Sequence, residues 1–405
     1  MNMMGRKYTM KRNYLMHLIQ LVVILTSIWI SLQATHAATL NVPSAHATIT
    51  LAIAAAIDGD TINVAGRVLP YAENIIIDKS LVLQGAGAAS TTISGATTTT
   101  GTNATIVTIT APNVTVTGFK ITNLFSKYGI NVANQSGITI TNNTITAIGG
   151  SDTTYNGNTF GIAVSSTSAA VANVTITNNT ISNINNANAG GSLKSADGIV
   201  IGFSTGASDI TNLSIQNNTI SNITAGKGAY GILLNHASGV GANTGRTVSP
   251  QILNNTISTL NGLWAHGIGL EGGTPSAVVQ GNSISNLTLT PSTGTDAAAI
   301  TLESNASANT VTIASNSFTG VLLGVFNISA TNPSVTVGSN WWGCTAGANG
   351  GVGCAATYPN SGGNVVNTTA ATPCANSTCI PTVSAPIIDL RSSGRATVFA
   401  TELTE

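Results

Sequence analysis

The sequence predicts an all-β solenoid, and three observations carry that prediction. A twelve-residue pattern, GITITNNTITAI over Gly137–Ile148, recurs as NVTITNNTISNI at Asn173–Ile184 and NLSIQNNTISNI at Asn212–Ile223. PQILNNTISTL at Pro250–Leu260 and AVVQGNSISNL at Ala277–Leu287 continue it, with weaker copies at 310–321 and 334–344. Upstream, Asn113–Leu124 keeps the apolar skeleton with Gly118 and Phe119 in place of the two Asn. Anchored on the second Asn, the copies fall at 119, 143, 179, 218, 255, 282, 316 and 340, a spacing of 24 to 39 residues. A period of that size marks a solenoid of stacked coils. The second observation is strict alternation on either side of the Asn pair, which reads as two short strands. The third is a separate strand with the signature Gly-Ile-x-Val/Leu, seen at Gly129–Val132, Gly161–Val164, Gly198–Ile201, Gly231–Leu234 and Gly267–Leu270, with Ala299–Leu302 completing the series.

Taken in order, residues 1–37 read as a secretory signal peptide. Arg6, Lys7, Lys11 and Arg12 precede an apolar run from Leu15 to Leu32, and Thr35-His36-Ala37 supplies small residues for cleavage. An uncleaved anchor is the alternative, since the run approaches the ~18 apolar residues of a membrane span. Residues 38–60 form an N-terminal cap: AHATITLAIAAAI over Ala45–Ile57 places Ile49, Ile53 and Ile57 on one helical face. Asp58-Gly59-Asp60 is then a turn, and strands follow at Thr61–Val64, Glu73–Asp78 and Ser80–Gly85. The solenoid occupies residues 61–344. Within a coil, Ile140 and Ile145 face the interior while Thr139 and Thr141 face out. Asn tolerates a left-handed backbone, so Asn142-Asn143 is a corner. Stacking puts each corner about 4.8 Å above the last, where amides that both donate and accept can bond up a column.

Three short strands per coil, one Asn corner and an apolar interior resemble the right-handed parallel β-helix of the pectate-lyase-like superfamily, over roughly residues 58–344. The opening helix, DGDTI and SLVLQGAG are similar to the first coils of secreted bacterial β-helix proteins. Ser339–Cys344, SNWWGC, resembles their closing coil, where bulky rings such as Trp341 and Trp342 cover the open end. Residues 345–380 form a Cys-containing C-terminal cap, and residues 381–405 read as a linker or disordered tail. Cys344, Cys354, Cys374 and Cys379 all lie in this last part of an exported chain, which implies two disulfides. Of three pairings, the local pairs Cys344–Cys354 and Cys374–Cys379 are preferred. A zinc site is the alternative, against which the spacings fit no finger pattern.

Charge excludes one class of partner. The chain has 13 basic and 13 acidic residues, and removing residues 1–37 leaves 9 against 13. Such a chain offers no basic patch for nucleic acid. After signal cleavage it has no membrane segment, and we expect a secreted or cell-surface monomer.

Coil stacking turns positions into columns. The outward residue after the third strand is Ala133, Ser165, Gly202, Asn235, Glu271 and Glu303 in successive coils. Glu271 and Glu303, about one strand spacing apart, would raise one another's pKa. They suit a glycosidase pair, and the same spacing would also suit a calcium ion. Their other reading is two solvated surface residues. The residue before the Gly forms a second column: Tyr128, Phe160, Asp197, Tyr230 and His266. Its rings either stack on sugar or on one another, and His266, near Trp264, is an acid–base candidate or a structural turn residue. Candidate catalytic residues are therefore Glu271, Glu303 and His266, and candidate substrate-binding residues are Asn235, Tyr230, Trp264 and Asp197.

What the resemblance implies for activity is mixed. Pectate lyases of this fold carry several carboxylates and a basic residue on adjacent coils; no Arg stands at a comparable column, Arg246 lying in a loop. Polygalacturonase-like chains carry paired Asp and Gly-His-Gly, whereas Ala265-His266-Gly267 is the nearest match. The two Asp and Arg of pectin-methylesterase-like chains are also unmatched. No cofactor is expected. The reading is a non-catalytic, adhesin-like extracellular protein that binds polysaccharide or a cell-surface glycan along its loop-lined face. The alternative is a polysaccharide lyase or glycoside hydrolase. A further outward array, Thr115/Thr117, Thr139/Thr141 and Thr175/Thr177, is similar to the hydroxyl faces of ice-binding solenoids, though Thr is also simply a good exposed strand residue.

Overall fold

The computed structural model describes residues 15–22, 37–98, 104–150, 157–186, 194–202, 208–235, 246–271, 273, 276–290, 296–303, 311–328, 334–344, 346, 348–349, 354–359 and 365–367. The chain divides into two units, Met1–Ala38 and Thr39–Glu405. In the first, residues 15–22 are helical. No helix among the described residues is long and apolar enough to cross a membrane.

The second unit is a right-handed parallel β-helix, in which every strand pairing is parallel. Its described strands form a leading sheet before the Asn corner, a trailing sheet after it, and a third sheet of Gly-Ile strands, with 11, 8 and 10 strands respectively; a two-stranded pair lies near the end. One coil reads Ile138–Thr141, corner, Thr144–Gly149, loop, Thr159–Ser165. The register is the one that the sequence columns require. Thr139 pairs with Thr115 and Thr175, Ile145 with Ile121 and Ile181, and Ile162 with Ile130 and Ile199. The inward residues of all three sheets, Ile140 and Ile145 among them, are fully buried in one apolar cluster that runs the length of the solenoid.

The two corner Asn divide the work. The first takes the left-handed backbone, at φ 56° in Asn142, 57° in Asn178, 54° in Asn217 and 55° in Asn254. Gly281 and Ser315 fill the same position with φ 70° and 56°. The second Asn turns inward and is buried at 143, 179, 218, 255, 282, 316 and 340. There the backbone N–H and Nδ2 of Asn143 both donate to Oδ1 of Asn179, at 3.1 and 3.2 Å. The same double bond links 179 to 218, 218 to 255, 255 to 282, 282 to 316 and 316 to 340. At the first rung the Phe119 N–H donates to Asn143 Oδ1. Buried polar groups persist in a core only when so paired.

A second bend, inside the trailing strands, has no counterpart in the sequence reading. Ala147, Asn183, Asn222, Thr259 and Asn286 all have φ between 55° and 58°. In this column Thr259 is the misfit, since a β-branched residue is strained there. Thr259→Asn is expected to stabilise the fold by about 1 kcal/mol, read as a higher denaturant midpoint at unchanged slope; a lower midpoint would show that Thr259 is not strained.

The Gly of the third strand has a steric cause. A Cβ on Gly161 would stand 2.5 Å from the carbonyl oxygen of Gly198, and one on Gly198 would stand 2.6 Å from that of Gly231. Both distances lie inside van der Waals contact, so the coils approach this closely only without a side chain.

The ends differ in detail from expectation. The capping helix is Ile49–Ala55, shorter than Ala45–Ile57, because Thr48 caps it by accepting from the Leu51 N–H. Glu73 accepts from the Ile49 and Thr50 N–H groups. Ile49 and Ile53 are buried as expected, but Ile57 lies beyond the helix and is exposed. Strand Thr39–Val42 pairs with Thr61–Val64, extending the leading sheet into the cap. At the other end Trp342 is buried edge-on against Phe318, while Ala356–Pro359 and Val365–Asn367 still add to the sheets beyond it. Cys344 and Cys354 form a disulfide with Cα atoms 5.1 Å apart. Cys374 and Cys379 lie outside the described residues.

Candidate functional site: an acidic groove on the third sheet

Outside the third sheet, three outward columns run up the solenoid. Register confirms the pre-Gly column, since Phe160 pairs with Tyr128 and Asp197, Tyr230 with Asp197 and His266, and His266 with Ala298. It also confirms the post-strand column: Asn235 pairs with Glu271, and the Glu303 N–H donates to the Leu270 carbonyl one coil back, which sets Glu303 beside Glu271. Between them runs a third column, Ala163, Val200, Leu233, Gly269 and Thr301.

The N-terminal part of this face is apolar. Tyr128 and Phe160 stack at 5.1 Å and, with Ala163, Val200, Tyr230 and Leu233, form a small buried cluster outside the solenoid interior. These rings therefore pack on one another, whereas Trp264 is only partly buried, with Lys227 Nζ 5.0 Å above its ring. Lys127, half-buried against Tyr128 and Phe160, has its pKa lowered by desolvation to about 8.

The C-terminal part is a groove of about 640 Å³. It is lined by Asp197, Tyr230, Trp264, His266, Asp296 and Glu303, with Glu271, Asn235 and Lys227 completing its polar wall. All seven residues singled out from sequence as catalytic or substrate-binding thus meet in one place. Four of the 13 acidic residues of the chain converge here, in a sequence where only 6% of residues are charged. Random placement would not concentrate them so.

His266 organises the cluster. Its Nδ1 lies 2.8 Å from Glu303 Oε1 and its Nε2 lies 2.5 Å from Asp296 Oδ1. Only 2% of the imidazole is exposed, against 16% and 13% of the two carboxylates. Both carboxylates come from one strand and its next residue, Asp296–Leu302 and Glu303, and straddle Ala298, whose small side chain leaves room for the ring in register below. Burial pulls the His266 pKa down, but the Glu303 charge and the bonds to Asp296 and Glu303 outweigh it and bring it to about 9. It is therefore an imidazolium at neutral pH, with both N–H groups committed. Tyr230 meets its ring edge-on at 5.2 Å, and burial first, then Glu303, raises the Tyr230 pKa.

Glu271 and Asp197 have no such cation. Burial, then the Glu303 charge, raises Glu271 to about 7 against the pull of Lys227. Asp197 is 1% exposed, and its Oδ1 has no hydrogen-bond partner. Burial first and the Glu271 charge second raise its pKa well above the usual value, which favours the protonated form. Among the described residues no three His, Cys, Asp or Glu side chains are grouped so as to hold a metal ion.

Glu271 also makes stability depend on pH in a definite sense. Its proton is held more tightly folded, at about 7, than unfolded, near 4.5. That contribution is present below the unfolded value and is lost as pH rises through about 7. Glu271→Gln should therefore be more stable than the parent at pH 8 by about 2–3 kcal/mol and equal to it at pH 4. Melts at both pH values check this, and equal midpoints at pH 8 would contradict it.

Sequence reasoning missed Asp296, which falls between the repeat copy that ends at Leu287 and the strand read as beginning at Ala299. It is the first residue of a strand and pairs with Trp264, two places before the pre-Gly column. Counting back from Ala298 would have put a carboxylate beside His266. Lys227 and the neutral lining residues Asn158 and Ser195 were hidden in the same way.

No family model matches the sequence, and no curated protein matches it. Among solved structures, the alginate lyase from Paenibacillus sp. str. FPU-7 is similar over 82% of this chain and 99% of its own, at 12% identity and a TM-score of 0.42. The Dettilon tailspike protein is similar over 79% of this chain and 68% of its own, at 16% identity and a TM-score of 0.35. The architecture is an all-β, right-handed parallel β-helix, with an acidic groove on its third sheet.

Proposed function

We propose that the chain is an exported glycoside hydrolase that binds polysaccharide along the third sheet and cleaves it with Glu271 and Glu303. The supporting observation is that two carboxyl groups on adjacent coils sit in unlike surroundings. Glu303 is held by the His266 imidazolium, while Glu271 is half-desolvated beside that negative charge and keeps its proton to about pH 7. Pushing the pKa values of two neighbouring groups apart is how one site holds an acid and a base together. Strands about 4.8 Å apart bring the pair near the ~5 Å of retaining enzymes.

In this reading the Glu271 carboxyl donates its proton to the glycosidic oxygen as the Glu303 carboxylate attacks the anomeric carbon. The glycosidic C–O bond breaks, one chain leaves with a free hydroxyl, and the other is held as an ester on Glu303. Water then attacks the anomeric carbon as the Glu271 carboxylate takes its proton, the bond from that carbon to Glu303 breaks, and a new reducing end is left. His266 acts as a positioning residue through Glu303. Trp264 stacks on a sugar, and Asn158, Ser195 and Asn235 bond its hydroxyls.

Binding without cleavage is the second reading. It is favoured by the commitment of Asp296 and Glu303 to His266, an arrangement that a purely structural ion-pair network would also produce. The test is release of reducing ends from a panel of plant, algal and bacterial polysaccharides, with and without calcium, by the parent, Glu271→Gln and Glu303→Gln chains. Unsaturated ends in place of saturated ones would mark a lyase.

A further inference from the structure

The groove's charge inventory points to its substrate class. Resting on the cleavage reading above, we infer that the site takes an uncharged polysaccharide and rejects polyuronates and sulfated glycans. Recognising a sugar carboxylate or sulfate calls for a cation with free donors, most often a guanidinium. Between residues 68 and 390 the sequence has a single Arg, Arg246, whose backbone N–H and guanidinium bond the Asp209 carboxylate at 2.9 and 3.3 Å. His266 has both ring nitrogens committed to Asp296 and Glu303. Lys227, the one lysine that lines the groove among the described residues, lies over the Trp264 ring and within electrostatic reach of Glu271.

The sequence inserted around the third-sheet strands also carries little charge, Lys194 and Arg246 being its two cations. The stretches 151–156, 187–193, 236–245 and 291–295 contain Asp152 and His236 and no Lys or Arg. Against this stand four carboxyl groups. One of them, Asp197, is 99% buried and unpartnered on Oδ1 at the groove lining. An incoming sugar hydroxyl can meet such a group as a donor or an acceptor, whereas a sugar carboxylate meets the Glu303 carboxylate as a like charge. What remains suits neutral hydroxyls: the amides of Asn158 and Asn235, the hydroxyl of Ser195 and the indole of Trp264.

The experiment uses matched polymers that differ in one group. The full chain is offered alginate and pectate, their carboxyl-reduced neutral forms, a neutral mannan and galactan, and a deacetylated, cationic chitosan. Binding is read by affinity electrophoresis and cleavage by reducing ends. At least one neutral polymer should be bound and cleaved ~10-fold or more better than any polyuronate, equivalent to about 1.4 kcal/mol. Asn235→Arg, which adds a guanidinium beside Glu271, should narrow that ratio.

Preference for a polyuronate or for the cationic polymer, with cleavage silenced by Glu303→Gln, would overturn the substrate assignment and leave the hydrolase reading intact. Binding that prefers the neutral polymers without any cleavage would keep the assignment and remove the hydrolase. Failure to bind any polymer would overturn both.

Discussion

A Glu303→Gln chain should bind polysaccharide as the parent does and release new chain ends at a rate lower by ~10³-fold or more. The amide keeps the size of the carboxylate and still offers His266 Nδ1 an acceptor, so the groove keeps its shape. What it loses is the negative charge that attacks the anomeric carbon and that raises Glu271. Without that charge the Glu271 proton is released at lower pH, so both halves of the pair fail at once. Glu271→Gln should fail differently: the nucleophile remains, the proton donor is gone, and the residual rate loses the decline above pH 7 that the parent shows as Glu271 ionises. A Glu303→Gln chain retaining more than a tenth of the parent rate would remove Glu303 from the chemistry, and identical parent and Glu271→Gln profiles would do so for Glu271.

The largest loss of stability is expected at the middle of the amide ladder. Asn218→Ala leaves the Asn179 N–H without its acceptor and the Ile176 carbonyl without its donor, both deep inside the solenoid. At 1–3 kcal/mol for each orphaned group, the cost is about 3–5 kcal/mol, and most of the neighbouring rungs remain. Asn217, its sequence neighbour, is exposed and serves only the left-handed turn. Asn217→Ala should cost about 1 kcal/mol. Equilibrium denaturation of the two variants separates these roles, and a loss under 1 kcal/mol at Asn218 would mean that the ladder is not what holds the coils.

The contrast between these two neighbours shows what a sequence of this kind discloses. Alternation gave away the strands because a pleated chain has no other way to keep Ile140 and Ile145 inside. The Asn pair gave away the corner, but not that one Asn bends the chain while the other binds the next coil, since both jobs select the same amide. The Gly before Ile was visible as punctuation. Its cause, a carbonyl 2.5 Å from where a Cβ would be, belongs to the neighbouring coil and has no trace in local sequence. Columns read from the repeat placed His266, Glu271, Glu303, Asn235 and Tyr230 together correctly, because register in a solenoid is fixed by the interior. Asp296 escaped because it begins a strand after an insertion of unequal length, where counting from one copy to the next loses its anchor. The burial of Tyr128 and Phe160 could not be read either, since exposure on that face depends on neighbouring outward columns rather than on alternation.

The amide ladder also gives the molecule an electrical direction. Every rung is oriented alike, with Oδ1 toward the lower-numbered coil and N–H toward the higher, from Asn143 to Asn340. Seven co-aligned amide dipoles, each of about 3.5 D in a peptide group, add along the solenoid axis instead of cancelling. The rod thus has a negative pole at its N-terminal coils and a positive pole at its C-terminal coils. Asp296 and Glu303 lie one coil past the middle rung at Asn255, on the side of the positive pole, so the hydrogen bonds that lock one coil to the next also favour negative charge there, whereas Asp197 lies two coils before that rung.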